Sequence, residues 1–330
     1  MKLKIGDNQD MKIGIQCSSY TTARCGIRTY SVRLNEALKK KGIDSHIFIE
    51  KPHKDVDAIL IQYEPGILPP QKLNYFVRKF IEPLVIVTAH HSRDIDQFYP
   101  ILDGVVFHDE SQIIGEPWEG LYTIIPHPAL VFPRLDKKKV RKELKLPVDK
   151  TIIGTAGFIT GTGKKLPVIL ESLLPKIDDS MFIYFITSFW KAGDLGRLRQ
   201  IQEIVKRSGK ANQFRIDTDF LSEKELNKRM QACDLLFSWN DTSINDKGSQ
   251  SGIAADMYGS YTKLIVKDSP HYNFIKKQDK VLVGRLDVDD FTEDVINAVK
   301  KEDLTDVPDP SWLSWDKMVD RYIEFIEELS

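Results

Sequence analysis

The chain has 330 residues, 42 % hydrophobic and 29 % charged, with 47 Lys and Arg against 48 Asp and Glu, which excludes a disordered chain and a basic nucleic-acid binder. Three scattered cysteines, Cys17, Cys25 and Cys233, exclude a disulfide scaffold and suit a reducing compartment. No apolar run reaches the ~18 residues of a membrane span, and Met1-Lys2-Leu3-Lys4 leads into Asp7 and Asp10 with no signal-peptide apolar region, so a cytoplasmic protein is expected.

Short apolar runs alternate with helical patterns along the chain, the signature of an α/β fold with parallel sheets. Strands are expected at Lys12–Cys17, Ser45–Ile49, Ala58–Gln62, Leu84–Ala89, Gly104–His108 and Tyr122–Pro126. Most are apolar throughout rather than alternating, as strands covered on both faces must be. After the first strand, Tyr30, Leu34, Ala37 and Leu38 share one helical face. Lys39, Lys40 and Lys41 then favour the negative end of the helix dipole, and Gly42 supplies the stop. From Pro133 to Lys150 the chain turns highly charged, which reads as a linker carrying a short helix. Strands resume at Thr151–Ala156, Met181–Thr187, Phe214–Asp217, Leu235–Ser238, Lys263–Lys267 and Val281–Val283. Helices are expected at Lys165–Lys176, Leu195–Ser208, Glu223–Ala232 and Gly252–Tyr258, with a terminal amphipathic helix over Ser311–Leu329. Ser222 with Glu225 three residues on is a capping-box pattern for the third of these. Two doubly wound, Rossmann-like domains follow, 1–133 joined by the helix 311–330, and 134–310, with an interdomain cleft as the place for ligands.

Chemistry is therefore sought at the strand ends. Gly26 opens the first helix, where bare backbone N–H groups can meet an anion. His90 and His91 follow Leu84–Ala89, His127 follows Tyr122–Pro126, and Glu64 follows Ala58–Gln62. Such convergence of ionisable groups points to a site. Adjacent strand residues face opposite ways, so His90 and His91 are no ligand pair, and no metal site is expected. Gly161-Thr162-Gly163-Lys164-Lys165 fails as a P-loop, because Phe158 replaces the first Gly and Lys165 the Ser or Thr. A Gly-rich loop with lysines can still hold a diphosphate without a metal. In Lys247-Gly248-Ser249-Gln250-Ser251-Gly252, small and hydroxyl residues precede a helix, a second candidate phosphate cradle.

In joint order these runs resemble the retaining GT-B glycosyltransferases, especially glycosyltransferase family four. Cys25-Gly26-Ile27-Arg28-Thr29-Tyr30 is similar to the family's Gly-Gly-Ile-x-x-Tyr/Phe loop, and Ile61-Gln62-Tyr63-Glu64-Pro65-Gly66 to its QYEfG run. Val87-Thr88-Ala89-His90, Ile125-Pro126-His127, Gly154–Phe158 with Gly163-Lys164, Phe220-Leu221-Ser222 and Ala232-Cys233-Asp234 stand where the family has related runs. Two positions depart from it: Phe158 stands at the family's Arg, and its Glu-x7-Glu pair falls on Asp246 and Ala254.

The resemblance implies transfer of a sugar, hexosyl in kind, from a nucleotide-diphosphate sugar to a glycan, lipid-linked or protein acceptor. No cofactor beyond the donor substrate and no metal is implied. His90, Lys164 and Glu64 are then the catalytic candidates, with Lys164 neutralising the leaving diphosphate. Gly26, Gly157, Gly163, Phe220, Leu221, Asp246, Ser249, Gln250, Ser251 and Gly252 are the donor-binding ones. The first domain would take the acceptor and the second the donor, the terminal helix crossing back to the first. Two alternatives stay open: a catalytically weak or inactive GT-B sugar-nucleotide-binding subunit, and a GT-B sugar-nucleotide epimerase. Peripheral membrane contact through the lysine-rich helix ends also stays open, as does the oligomeric state.

Overall fold

A computed structural model describes residues 11–22, 24–52, 55–159, 163–189, 194–241 and 248–330. It divides the chain into two compact units. The first holds the described residues up to His127, together with 248–250 and Trp315–Ser330; the second holds those from Pro128 to 241 and Ser251–Ser314.

The first unit is built on a parallel sheet of β1 (Lys12–Gln16), β2 (Asp44–Phe48), β3 (Ala58–Tyr63), β4 (Leu84–Ala89), β5 (Gly104–Phe107) and β6 (Tyr122–Ile124). Among the described residues its order is β2-β1-β3-β4-β5-β6. The helices α1 (Gly26–Lys40) and α2 (Pro70–Lys79) lie between strands. Ile59, Ile61, Val85, Val87, Val105 and Phe107 pack with Leu73 and Phe76 of α2 into one core. Every residue of the central strand β3 is buried, whereas the edge strand β6 is partly exposed, as its place at the rim requires.

In the second unit α3 (Lys137–Glu143) precedes β7 (Thr151–Phe158), α4 (Leu166–Leu173), β8 (Met181–Ser188), α5 (Asp194–Ser208), β9 (Phe214–Asp217), α6 (Glu223–Gln231) and β10 (Leu235–Ser238). Then come α7 (Gly252–Tyr258), β11 (Lys263–Lys267), α8 (Asn273–Lys276), β12 (Val281–Gly284) and α9 (Val288–Lys301). The sheet is again parallel, in the order β12-β11-β10-β7-β8-β9 among the described residues. Its core joins Ile153, Ile183, Phe185, Leu235 and Phe237 to Ile169 and Leu170 of α4 and Phe291 and Val295 of α9.

The last helix, α10 (Trp315–Leu329), belongs to the first unit and packs along α1. The Tyr322 hydroxyl lies 2.8 Å from that of Tyr30 and 3.3 Å from Thr88 Oγ1. A Cβ on Gly104 would lie 2.7 Å from Leu329 and 2.9 Å from Phe325, so the bare glycine lets α10 lie close on β5.

Strand expectations at Leu84–Ala89, Phe214–Asp217, Leu235–Ser238 and Lys263–Lys267 coincide with β4, β9, β10 and β11. Two helices differ. Lys165–Lys176 ends as α-helix at Leu173 and continues as a 3₁₀ turn, Leu174–Lys176, because Pro175 has no N–H to give. Ser311–Leu329 divides into a 3₁₀ turn, Ser311–Leu313, and α10, since Ser314 is extended (φ −61°, ψ 153°). The capping box at α6 is half formed: Ser222 Oγ accepts from Glu225 N at 3.4 Å, while the Glu225 carboxylate takes Arg229 at 2.6 Å.

Candidate functional site

In the second unit, the parallel sheet delivers Gly157 and Phe158 at the C-terminal end of β7. Gly157 has φ +111°, a conformation that side chains strain. A Cβ there would lie 2.5 Å from Lys164 Nζ and 3.1 Å from Ile253. The missing side chain thus makes room for the Lys164 ammonium beside the first turn of α7. Lys164 is half-buried, and its Nζ has a carbonyl, that of Ala156, at 3.4 Å. Desolvation pushes its pKa down to about 8. Its neighbours differ. Lys165 and Lys267 both reach Asp241, at 2.5 and 2.9 Å, and their hydrogen bonds hold that carboxyl below its ordinary range. Among the described residues Lys164 has no such ion pair.

Gly163 lies close under Asn240, where a Cβ would strike the amide oxygen, and its carbonyl accepts from Asp241 N at 2.7 Å. Phe220 is 49 % exposed and its ring stacks near-parallel on Phe158, with centroids 6.4 Å apart. Leu221 beside it is half-buried. Gly252 opens α7, where Ser251 serves as N-cap: its Oγ accepts from Ala254 N at 3.3 Å, and its own N–H donates to His271 O at 3.1 Å. The structure therefore brings Gly157, Lys164 and the start of α7 together. Asp246 lies outside the described residues.

In the first unit, Gly26 begins α1 with open space where a Cβ would be, and its N-cap, Cys25, offers no side-chain hydrogen bond. Glu64 is half-buried just past β3, and its carbonyl accepts from Ile67 N and Leu68 N, both at 2.8 Å. His90 is buried, with Nε2 2.9 Å from Gln62 Oε1 and Nδ1 3.4 Å from His108 Nε2. Both its nitrogens are thus turned to protein partners. Burial, with His108 and His127 nearby, holds its pKa well below the ordinary histidine value. Tyr30 packs edge-on against His90 and His127, at 4.5 and 5.1 Å between centroids, and against Trp315 at 4.8 Å.

Ser249 forms an antiparallel bridge with His91, and Gln250 beside it is buried. The Gly248 carbonyl accepts from Ser92 N at 2.7 Å and from Gln112 Nε2 at 2.9 Å. The His91 ring occupies the space of a Gly248 side chain. Gly248→Ala is therefore expected to destabilise the first unit by about 1–3 kcal/mol, read as a lowered melting midpoint; an unchanged midpoint would show that the bridge adapts freely.

Reading strand ends one by one passes over His108, the last residue of its expected strand, and over Gln62, Gln112 and Tyr30. The signal was present: β4, β5 and β6 are neighbours in the sheet, and each is followed within three residues by a histidine. Strand order, which the sequence does not state, converts that into a cluster.

Neither a family model nor a curated protein matches the sequence. Solved structures do. A glycosyltransferase from Rickettsia africae ESF-5 superimposes with a TM-score of 0.69 at 11 % identity, over 97 % of this chain and 98 % of that one. Anabaena Alr3699/HepE in complex with UDP gives 0.64 at 9 % identity, over 95 % and 94 %. The sucrose-phosphate synthase of Thermosynechococcus elongatus gives 0.63 at 13 % identity, over 97 % and 94 %. The fold is that of the GT-B glycosyltransferases. At such identities the likeness carries the GT-B architecture and not the role of any residue. Among the described residues no helix is long and apolar enough to cross a membrane.

Proposed function

We propose that this GT-B chain is a retaining glycosyltransferase that moves a sugar from a nucleotide-diphosphate sugar to an acceptor. The observation that carries the reading is Lys164: an ammonium held in a partly desolvated niche made by Gly157, without an ion-pair partner among the described residues. Breaking the bond from the anomeric carbon to the diphosphate oxygen leaves positive charge on the sugar and negative charge on the leaving group. A fixed cation aimed at that developing charge lowers the barrier, because it needs no reorganisation when the charge appears. The diphosphate in turn restores to the ammonium the interactions that burial removed.

Phe158 and Phe220 offer an exposed aromatic face in the same unit, on which a nucleobase can stack for about 1–3 kcal/mol. Gly163, Leu221, Ser249, Gln250, Ser251, Gly252 and Asp246 are proposed to complete the donor contacts, with Gly26 offering the bare start of α1. Glu64 is proposed to hold the acceptor. His90, buried and held by Gln62, fits a positioning part better than direct contact with sugar. Lys164 does the work a divalent ion does elsewhere, so donor binding is expected to be unchanged by EDTA; loss of binding that Mg²⁺ or Mn²⁺ restores would contradict this.

Anabaena HepE was solved with UDP and with UDP-glucose, which makes uridine diphosphate sugars the first donors to test. A bound donor at 100 times its Kd adds about 2.7 kcal/mol of stability, readily seen as a melting shift. UDP release that depends on an acceptor supports transfer. No shift with any nucleotide sugar would overturn the reading. One observation favours a binding subunit instead: Phe158 and the buried Ala254 stand where the resembling family has charged residues. Donor binding without UDP release would decide for it, and an isomerised donor without acceptor would mark an epimerase.

A further inference from the structure

At the C-terminal edge of the first sheet three histidines turn their rings on one another. His90 follows β4, His108 follows β5 and His127 lies three residues beyond β6. All are buried, at 8, 1 and 9 % exposure. One ring nitrogen from each lies within 4.8 Å of the other two. We propose that His90, His108 and His127 bind one divalent transition-metal ion of the zinc(II) class.

The hydrogen bonds around the cluster orient the rings for this. His108 Nδ1 lies 2.9 Å from the Ile125 carbonyl oxygen, which can only accept. That nitrogen therefore carries the proton, and in the neutral ring Nε2 is bare. His90 Nε2 lies 2.9 Å from Gln62 Oε1, likewise an acceptor, which leaves His90 Nδ1 bare. The two bare nitrogens face each other at 3.4 Å. Lone pair against lone pair repels unless a cation stands between. Two ligands each about 2.0–2.1 Å from a tetrahedral zinc lie roughly 3.3–3.4 Å apart.

Outer hydrogen bonds to a backbone carbonyl and an amide are the supports that ligating histidines use to fix their tautomer. A metal requires the neutral rings, and the burial of His90 and His108 disfavours the charged form. Among the described residues no thiolate or carboxylate joins the group. An all-imidazole set suits zinc, copper, nickel or cobalt rather than magnesium or calcium, and the fourth position falls to water. The ion would pin together the ends of β4, β5 and β6, against which Tyr30 of α1 packs.

With the Gln62 amide turned over, His90 Nδ1 would instead donate to His108 Nε2, giving a metal-free chain of hydrogen bonds. As the amide stands, Gln62 Nε2 has no hydrogen-bond partner.

Titrating tag-free, chelator-stripped full-length protein with zinc(II), and separately with cobalt(II), tests the proposal. One equivalent of zinc should bind, and cobalt should give the visible absorption of a four-coordinate site. His108→Gln and His127→Gln should each weaken zinc binding at least a hundredfold, with far-UV circular dichroism unchanged. Gln62→Leu keeps all three ligands and should weaken it roughly 10- to 100-fold; it decides the matter if the histidine variants do not fold. No saturable binding, or the same affinity in the folded variants, would overturn the site. The measurement involves no nucleotide, so its failure leaves the sugar-transfer reading untouched.

Discussion

Lys164→Ala is expected to lower kcat for sugar transfer by about 10²–10³-fold, the loss of about 2.7–4 kcal/mol that follows removal of one preorganised donor to a developing oxyanion. The fold should hardly notice. Among the described residues the ammonium has one long hydrogen bond, 3.4 Å to the Ala156 carbonyl, and its removal relieves a desolvated charge. The pH dependence supplies an independent readout. Burial favours the neutral amine and brings the pKa down to about 8, so the free protein carries the cation below that pH and loses it above. kcat/KM for the donor, which reports groups in the free enzyme, should fall as pH rises through about 8. That limb should be absent from Lys164→Ala. Wild-type kcat/KM in the folded variant would remove Lys164 from the reaction.

Asp234→Ala is expected to destabilise the second unit by about 3 kcal/mol. Arg141 is buried, and its guanidinium donates to the carbonyls of Ala232 (2.8 Å) and Lys150 (3.1 Å) and to Asp234 Oδ2 (2.5 Å). Asp234 also accepts from Ile152 N at 2.8 Å and from Lys137 at 3.0 Å. The pair thereby ties α3 to the starts of β7 and β10. Removing one partner of a buried ion pair leaves an uncompensated charge and costs about 3–5 kcal/mol. The lower figure applies because the Asp234 side chain is 19 % exposed. Denaturant unfolding measures it, and a loss under about 1 kcal/mol would mean that Arg141 finds another counter-charge. Replacing both by apolar residues, Asp234→Leu with Arg141→Met, should cost less than Asp234→Ala alone.

The sheets were legible because strands such as Ala58–Tyr63 and Lys263–Lys267 are buried on every residue, and burial on both faces writes an apolar run into the sequence. Three helices escaped, the four-residue α8 and two longer ones with local reasons. In α2 the apolar face is only Leu73, Phe76 and Val77, set behind Pro69 and Pro70. In α9 the acidic Asp289, Asp290, Glu293 and Asp294 dilute the face of Phe291, Val295 and Ile296, although Asp287 as cap followed by acids is itself a helix start. At the candidate site, Gly157 and Lys164 came from local motifs. The histidine cluster did not, because its members lie on different strands and meet only through sheet order.

The helix Trp315–Leu329 has a consequence for how this protein is made. Tyr30 waits for a hydroxyl partner that lies 292 residues further along the chain. The second unit, by contrast, lies wholly between Pro128 and Ser314 apart from the short stretch given to the first. Synthesis runs from the N-terminus, and domains fold as units when their residues are out. Of the two units, the one whose residues start earlier is completed later: Thr88 and Gly104 stay uncovered by Trp315–Leu329 while the other unit closes. A ribosome that stops before Trp315 therefore releases a complete second unit attached to an unfinished first one, the form that chaperones and proteases would meet.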